Sequence, residues 1–171
     1  ESPLAADGFL TKVGVDNENT VKELEKLTRV VYIRTGIVLD EDEGALPQMA
    51  LPFKFFAGGP VGTGKQWNSW IHIKDEVRAI KFLIQNKQLE GAFNLTAPNP
   101  VTNAQMSKAI GKALGKPSAI PAPAFIIKLF LGEMADELLL SGMKVIPKRL
   151  IDTGFIFNFE TIDGALHDIF H

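Results

Sequence analysis

Apolar residues recur along this chain at two spacings, and the alternation between them is its main organising signal. Over 74–86, Val77, Ile80, Leu83 and Ile84 fall on one stripe of a 3.6-residue period, which predicts a helix with that stripe inward. A second helix is expected after Pro100, with Thr102 or Asn103 as its cap and Met106, Ile110, Ala113 and Leu114 as its apolar side. Lys112 and Lys116 suit its negative end, and Gly115 and Pro117 stop it. Residues 161–170 place Ile162, Ala165, Leu166, Ile169 and Phe170 on one face, and further helices are expected over 123–131 and 133–140. A short helix fits 45–57, with Pro47 in its first turn and Pro52 kinking it. Residues 9–27 read as a weak helix, because Gly14, Asp16, Asn17 and Asn19 all lower helix propensity.

Between these lie short β-branched or aromatic runs. Residues 29–34 (RVVYIR) look like a strand buried on both faces, and 69–73 (SWIHI) and 92–96 (AFNLT) are further strand candidates. Strands alternating with helices predict an α/β fold. A soft boundary near 116 divides 1–116, the α/β part, from 117–171, a small and mostly helical C-terminal domain. Three strands are few, since a parallel sheet covered on both faces usually has about five or more.

Composition narrows the chemistry. The chain has 171 residues, 18 Lys and Arg against 20 Asp and Glu, and no cysteine. Disulfides, thiol nucleophiles and Cys-ligated zinc are therefore excluded. A net charge of −2 gives no general attraction to nucleic acid or anionic lipid, so neither is an expected partner. No apolar run reaches the roughly 20 residues of a membrane helix. The longest, 122–131, is interrupted by Lys128, and the opening ESPLAADGF lacks the blocks of a signal peptide. A cytoplasmic protein is the expectation.

Residues 59–65 (GPVGTGK) fit the spacing of a phosphate-binding loop, but Gln66 stands where that loop needs a Mg²⁺-ligating hydroxyl, and a strand-like run follows in place of a helix. A glycine-rich turn is the better reading. No G-x-G-x-x-G occurs, and the only tyrosine, Tyr32, has Gly36 four residues on, so no Tyr-x-x-x-Lys pair exists. His167 and His171 have a helical metal-binding spacing but sit at a chain end, and no metal site is expected. His72 and Asp75 bracket a strand-to-helix junction. Asp75 suits a capping or first-turn role there, and His72 either makes a structural hydrogen bond or contacts a ligand. Trp67 and Trp70, an odd number of residues apart on a strand, cannot both face the core.

Several ordered stretches carry a resemblance. They are Arg34-Thr-Gly-Ile-Val-Leu39, Ala45-Leu-Pro with Leu51-Pro-Phe-Lys54, Gly58 to Gln66, Trp70-Ile-His-Ile-Lys-Asp75, Phe93 to Asn103, and Lys144-Val-Ile-Pro-Lys-Arg149 followed by Thr153-Gly-Phe155. Together they resemble the NAD(P)-dependent epimerase-like proteins of the extended short-chain dehydrogenase/reductase superfamily, in the branch of nucleoside-diphosphate sugar epimerases. The resemblance implies that 1–171 is the C-terminal portion of a Rossmann-like protein, with 1–116 the later part of its parallel sheet and 117–171 a small substrate-side domain. The glycine-rich cofactor turn and first strands would then lie outside this chain.

By the same resemblance, Gly36, Ile37 and Val38 approach the nicotinamide of NAD or NADP, with NADP the favoured of the two. Lys65, Gln66, Trp70 and His72 border a small-molecule or nucleotide-linked substrate. The family's Tyr and Lys fall on Leu10 and Gly14, which cannot move a proton, and its diphosphate-gripping arginine falls on Asn68. The catalytic group is thus unassigned. The two functions implied are an epimerase-like oxidoreductase and a non-catalytic dinucleotide sensor or scaffold. Apart from its missing half, the chain is expected to associate or to expose apolar helix faces.

Overall fold

The computed structural model describes residues 9–118 and 142–171. Six short strands and six α-helices occur among them. Helix α1 spans Phe9–Thr20 and is followed by a 3-10 turn, Lys22–Lys26. Strands β1 (Val31–Thr35) and β2 (Ile37–Leu39) lead to α2 (Ala45–Lys54), β3 (Trp67–Asn68) and β4 (Trp70–His72). Then come α3 (Ile73–Gln85), β5 (Gly91–Leu95), β6 (Val101–Thr102), α4 (Asn103–Ala113), α5 (Lys148–Asp152) and α6 (Ile162–Phe170). The α/β class is as the alternation predicts. The helices expected over 123–131 and 133–140 lie outside the described residues.

The strands pair two by two. β1 runs parallel to β5, with Val31 beside Gly91 and Thr35 beside Leu95. β2 runs parallel to β4, with Ile37 beside Trp70 and Leu39 beside His72. β3 and β6 are antiparallel. Residues 31–39 are thus nearly one strand that changes partner at Gly36. The Gly36 amide donates to the Leu95 carbonyl (3.0 Å), and the next amide, Ile37, donates to Ser69 (2.8 Å). Only glycine fits this crossing, because a Cβ would stand 2.5 Å from the Ser69 carbonyl oxygen and 2.9 Å from Thr96 Cγ2.

Alternation along the strands feeds two cores. Leu39 and Trp70 face Leu46, Phe53, Met106, Ile110 and Leu166. Ile71, Phe93 and Leu95 face the other way, onto Ala79, Leu83, Leu150, Phe155 and Phe157. The strand buried throughout is β4, not the 29–34 run: β1 buries none of its residues fully and leaves Ile33 and Thr35 exposed. The last helix packs as its periodicity predicts, burying Ile162, Ala165 and Leu166. α4 begins with a capping box in which Thr102 Oγ1 accepts from the Gln105 amide and Gln105 Oε1 accepts from the Thr102 amide.

The expected stripe of α3 is half wrong. Leu83 is buried, but Val77 and Ile84 are 58% and 64% exposed, and Asp75 and Glu76 take the inner face with Ala79. Those two acids can turn inward because the rest of the fold supplies donors, which a hydrophobic period cannot register. Ile33 on β1 is exposed as well, so one edge of β1 and one flank of α3 are uncovered among the described residues. The weak first helix stops at Thr20, and the 3-10 turn replaces its last stretch. α2 stops at Lys54, since Phe56 takes φ 58°.

The Lys144–Arg149 motif has a structural meaning. Residues 142–147 run as an extended strap held by side chains. Ser69 Oγ donates to the Met143 carbonyl (2.8 Å) and accepts from the Val145 amide (2.9 Å). Asn94 and Thr96 donate to the Ile146 and Val145 carbonyls. Arg149 then donates to the Ala92 and Glu90 carbonyls (2.6 and 2.9 Å) and lies over the Phe93 ring. No helix among the described residues is long and apolar enough to cross a membrane.

Candidate functional site

The glycine-rich run is a turn and not a phosphate cradle. Its carbonyls occupy the first amides of α4: Asn103 N–H donates to Gln66 O (2.8 Å) and Ala104 N–H to Gly64 O (3.0 Å). Those amides are the ones a helix would offer to phosphate. The Asn103 side chain closes the turn by accepting from the Val61 amide (2.7 Å), and the Gln66 side chain donates to the Val61 carbonyl (3.0 Å). Gln66, expected beside a substrate, thus uses its amide within the loop. Lys65 is exposed and keeps its ammonium in solvent.

Trp70 and His72 are wholly inside. The Trp70 indole donates to the Asn99 carbonyl at 3.1 Å, and Trp67, half-buried, lies under the Lys144 ammonium, so the two tryptophans divide as their odd separation requires. His72, 1% exposed, is the N-cap of α3: its Nδ1 accepts from the Lys74 amide at 3.0 Å. Its ring stacks on Phe159 at 3.9 Å, and Nε2 lies 3.2 Å from Asp168 Oδ2, out of line for a full hydrogen bond. Asp75, fully buried, takes the first-turn position expected of it in α3 but does not cap the helix. Its carboxylate accepts from the amides of Asn158 (2.9 Å) and Phe159 (2.9 Å) and from Arg78 (2.5 Å), anchoring the chain that leads into α6.

Burial holds the His72 pKa below its ordinary value, against the pull of Asp168. The folded state therefore prefers neutral His72. Its contribution to stability is complete above the unfolded value near 6.5 and is lost as pH falls from there through the lower folded value. Urea midpoints of the wild-type chain are expected to fall on acidification over that window. The His72→Gln variant, less stable at neutral pH, is expected to show a flatter profile there. An equal slope in both would refute the assignment.

Gly36, Ile37 and Val38 lie together at the strand crossing. Val38 lines an open hollow of about 400 Å³ with Asp40, Asp42, Glu43, Gly44 and Ile73. Its three carboxylates suit hydroxyl or amide donors and disfavour phosphate. Just before the crossing stands a residue pair that sequence reasoning passed over. Thr35, exposed at the end of β1, donates from Oγ1 to Glu76 Oε1 at 2.9 Å. Glu76 is 7% exposed, and its Oε2 is buried with no hydrogen-bond partner among the described residues. Burial pushes its pKa above the ordinary glutamate value, with the Thr35 bond opposing. The sequence signal was available: a glutamate one position after Asp75 falls on the inward side of α3 once Ala79 and Leu83 do. Tyr32 is no acid or base here, because its hydroxyl donates to Glu25 (2.7 Å), which pushes its pKa up to about 12. Among the described residues no cluster of three or more His, Asp or Glu could hold a metal.

Comparison with known proteins gives this geometry its context. Residues 122–169 match a family described as a domain of unknown function, DUF1731. An epimerase family protein of Bacillus subtilis, YfhF, is 43% identical over 170 residues, which is 99% of this chain and 55% of that protein. The crystal structure of the human epimerase family protein SDR39U1 with NADPH superposes with a TM-score of 0.79 at 35% identity, over 88% of this chain and 54% of that one. A nucleoside-diphosphate sugar epimerase from Corynebacterium glutamicum gives a TM-score of 0.77 at 30% identity, over 97% of this chain and 32% of that one. The chain spans about half the length of the curated relatives it matches. Over that half it is similar in sequence to the epimerase family proteins, and it has a Rossmann-like α/β fold.

Proposed function

We propose that this chain forms one wall of a nicotinamide-dinucleotide crevice in an epimerase-like oxidoreductase, and that polypeptide outside 1–171 supplies the other wall and the pyrophosphate turn. The carrying observation is the change of strand partner at Gly36 beside an uncovered edge of β1. In open α/β sheets ligands bind in the crevice outside the carboxyl ends of the strands, and Gly36 follows directly on the carboxyl end of β1. The human relative with NADPH supports the same cofactor class here, NADP before NAD. The residues fit a nicotinamide at this corner in two respects: the orphaned buried oxygen of Glu76 beside Thr35, and a carboxylate-rimmed hollow that takes hydroxyl and amide donors.

A bound nicotinamide supplies hydride chemistry. In this reading Gly36, Ile37 and Val38 flank it, and Lys65 offers a point charge to an anionic substrate. Trp70 and His72 hold the wall from behind, Gln66 closes the loop that carries Lys65, and 117–171 is the substrate-side portion. The substrate is a small or nucleotide-linked alcohol or sugar, and the compartment is the cytoplasm.

The test is direct. Titration with NADPH, followed by nicotinamide fluorescence, should saturate at micromolar concentration for protein expressed from the complete reading frame. The isolated 171 residues should not bind, because their helix N-terminal amides at the glycine loop are taken. Micromolar binding by the isolated chain, or none by the complete one, would overturn the reading. Binding without any substrate-dependent absorbance change at 340 nm would favour the dinucleotide sensor, which the inert Leu10 and Gly14 positions also suit.

A further inference from the structure

We propose that Thr35 and Glu76 form a hydroxyl–carboxylate relay that takes up the proton when a substrate alcohol is oxidised at the Gly36 corner. The inference deepens the crevice reading and rests on it. Thr35 is exposed and directly precedes the crossing residue Gly36. Because its hydroxyl proton points to Glu76 Oε1, the lone pairs of Oγ1 are left to accept from a ligand hydroxyl. Behind it stands a carboxyl that is 93% buried by its 7% exposure, with one oxygen unpartnered and no ion pair among the described residues. Buried carboxylates without a cation are rare, and an orphaned oxygen calls for a reason. A base that must hold a proton only transiently is such a reason, and burial strengthens it as a base.

In the forward step the alcohol O–H bond breaks and its proton passes to Thr35 Oγ1, while the Thr35 proton passes to Glu76 Oε1. A bound oxidised nicotinamide dinucleotide would supply the two-electron acceptor for the hydride, so that the alcohol would become a carbonyl while Glu76 retains the proton. In the reverse step Glu76 is the acid.

Nearby charges are engaged elsewhere. On β1, Arg34 points to the opposite face and meets Glu18 at 2.7 Å. On α3, Asp75 is held by Arg78 and by the amides of Asn158 and Phe159. Lys74 pairs with Asp168 of α6, and His72 turns to Phe159. Asp40, just past β2, accepts from the Asp42 and Glu43 amides.

Two measurements decide the matter. In the 171-residue chain, the carbon-13 carboxyl resonance of Glu76 should titrate above the ordinary 4.5, and Thr35→Val should move it higher, because the lost hydrogen bond had lowered it. A midpoint at or below 4.5 would overturn the relay. In protein from the complete reading frame, with NADP⁺ and with UDP-glucose, UDP-galactose and simple secondary alcohols as probes, kcat/KM should fall on the acid side with that same midpoint. Glu76→Gln should lose about 100-fold in kcat and the acid limb, and Thr35→Val a comparable factor. Absence of NADPH binding by the wild type would sink the crevice reading itself. Binding without oxidation of any probe, or an unaltered pH profile in Glu76→Gln, would sink the relay alone.

Discussion

Asp75→Ala is expected to lower the unfolding free energy by about 3–5 kcal/mol, enough to leave much of the chain unfolded at 37 °C. The aspartate is fully buried, and its carboxylate is the acceptor for two backbone amides, Asn158 and Phe159, and for the Arg78 guanidinium. Alanine leaves both amides without a partner in a site closed to water, and each orphaned donor costs about 1–3 kcal/mol. It also strands the inner side of Arg78, although that guanidinium is 40% exposed and can recruit water. The damage should spread through Phe159, which stacks on His72, toward α6. Arg78→Ala, which leaves both amides satisfied, should cost visibly less. Urea denaturation of the two variants makes the comparison. A loss below about 1 kcal/mol for Asp75→Ala would show that the 158–159 backbone does not depend on it.

Gly36→Ala is expected to cost about 3 kcal/mol through overpacking at the strand crossing. The added methyl would sit 2.5 Å from the Ser69 carbonyl oxygen, which is backbone and is itself held by the Ile37 amide. Thr96 Cγ2 closes the other side at 2.9 Å. Relief therefore requires β2 and β4 to part, and with them the corner that Val38 shares. Gly115→Ala is the control. There φ is +62° but nothing lies within 4 Å of a Cβ, so only the backbone penalty of about 1 kcal/mol applies. Comparable losses in the two variants, read from denaturation midpoints, would refute the crowding argument.

The turn at Gly59–Lys65 is legible in the sequence alone. Its missing hydroxyl at Gln66 and its strand-like sequel argued against a phosphate loop, and the structure gives the reason in full: Gln66 and Gly64 carbonyls already fill the α4 amides. The His72 question was open in sequence, since a histidine at a strand end serves a cap or a ligand equally well. Its Nδ1 bond to Lys74 makes it a cap. For α3 the sequence misled, because Val77 and Ile84 obey the helical period yet face outward. A period identifies a stripe, and the neighbours decide whether that stripe is covered.

The sequence by itself determined the α/β alternation, the starts of α4 and α6, the turn at the glycine run and the absence of thiol chemistry. These depend on side chains within a few residues of one another: Thr102 with Gln105, Thr161 with Gly164. Only the tertiary structure decided that 31–39 changes partner at Gly36, that Asp75 and Glu76 turn inward, and that Glu76 meets Thr35. A carboxyl can be buried only where donors wait for it, and here those donors are 41 residues away for Glu76 and 83 and 84 for Asp75. No local pattern encodes separations of that length.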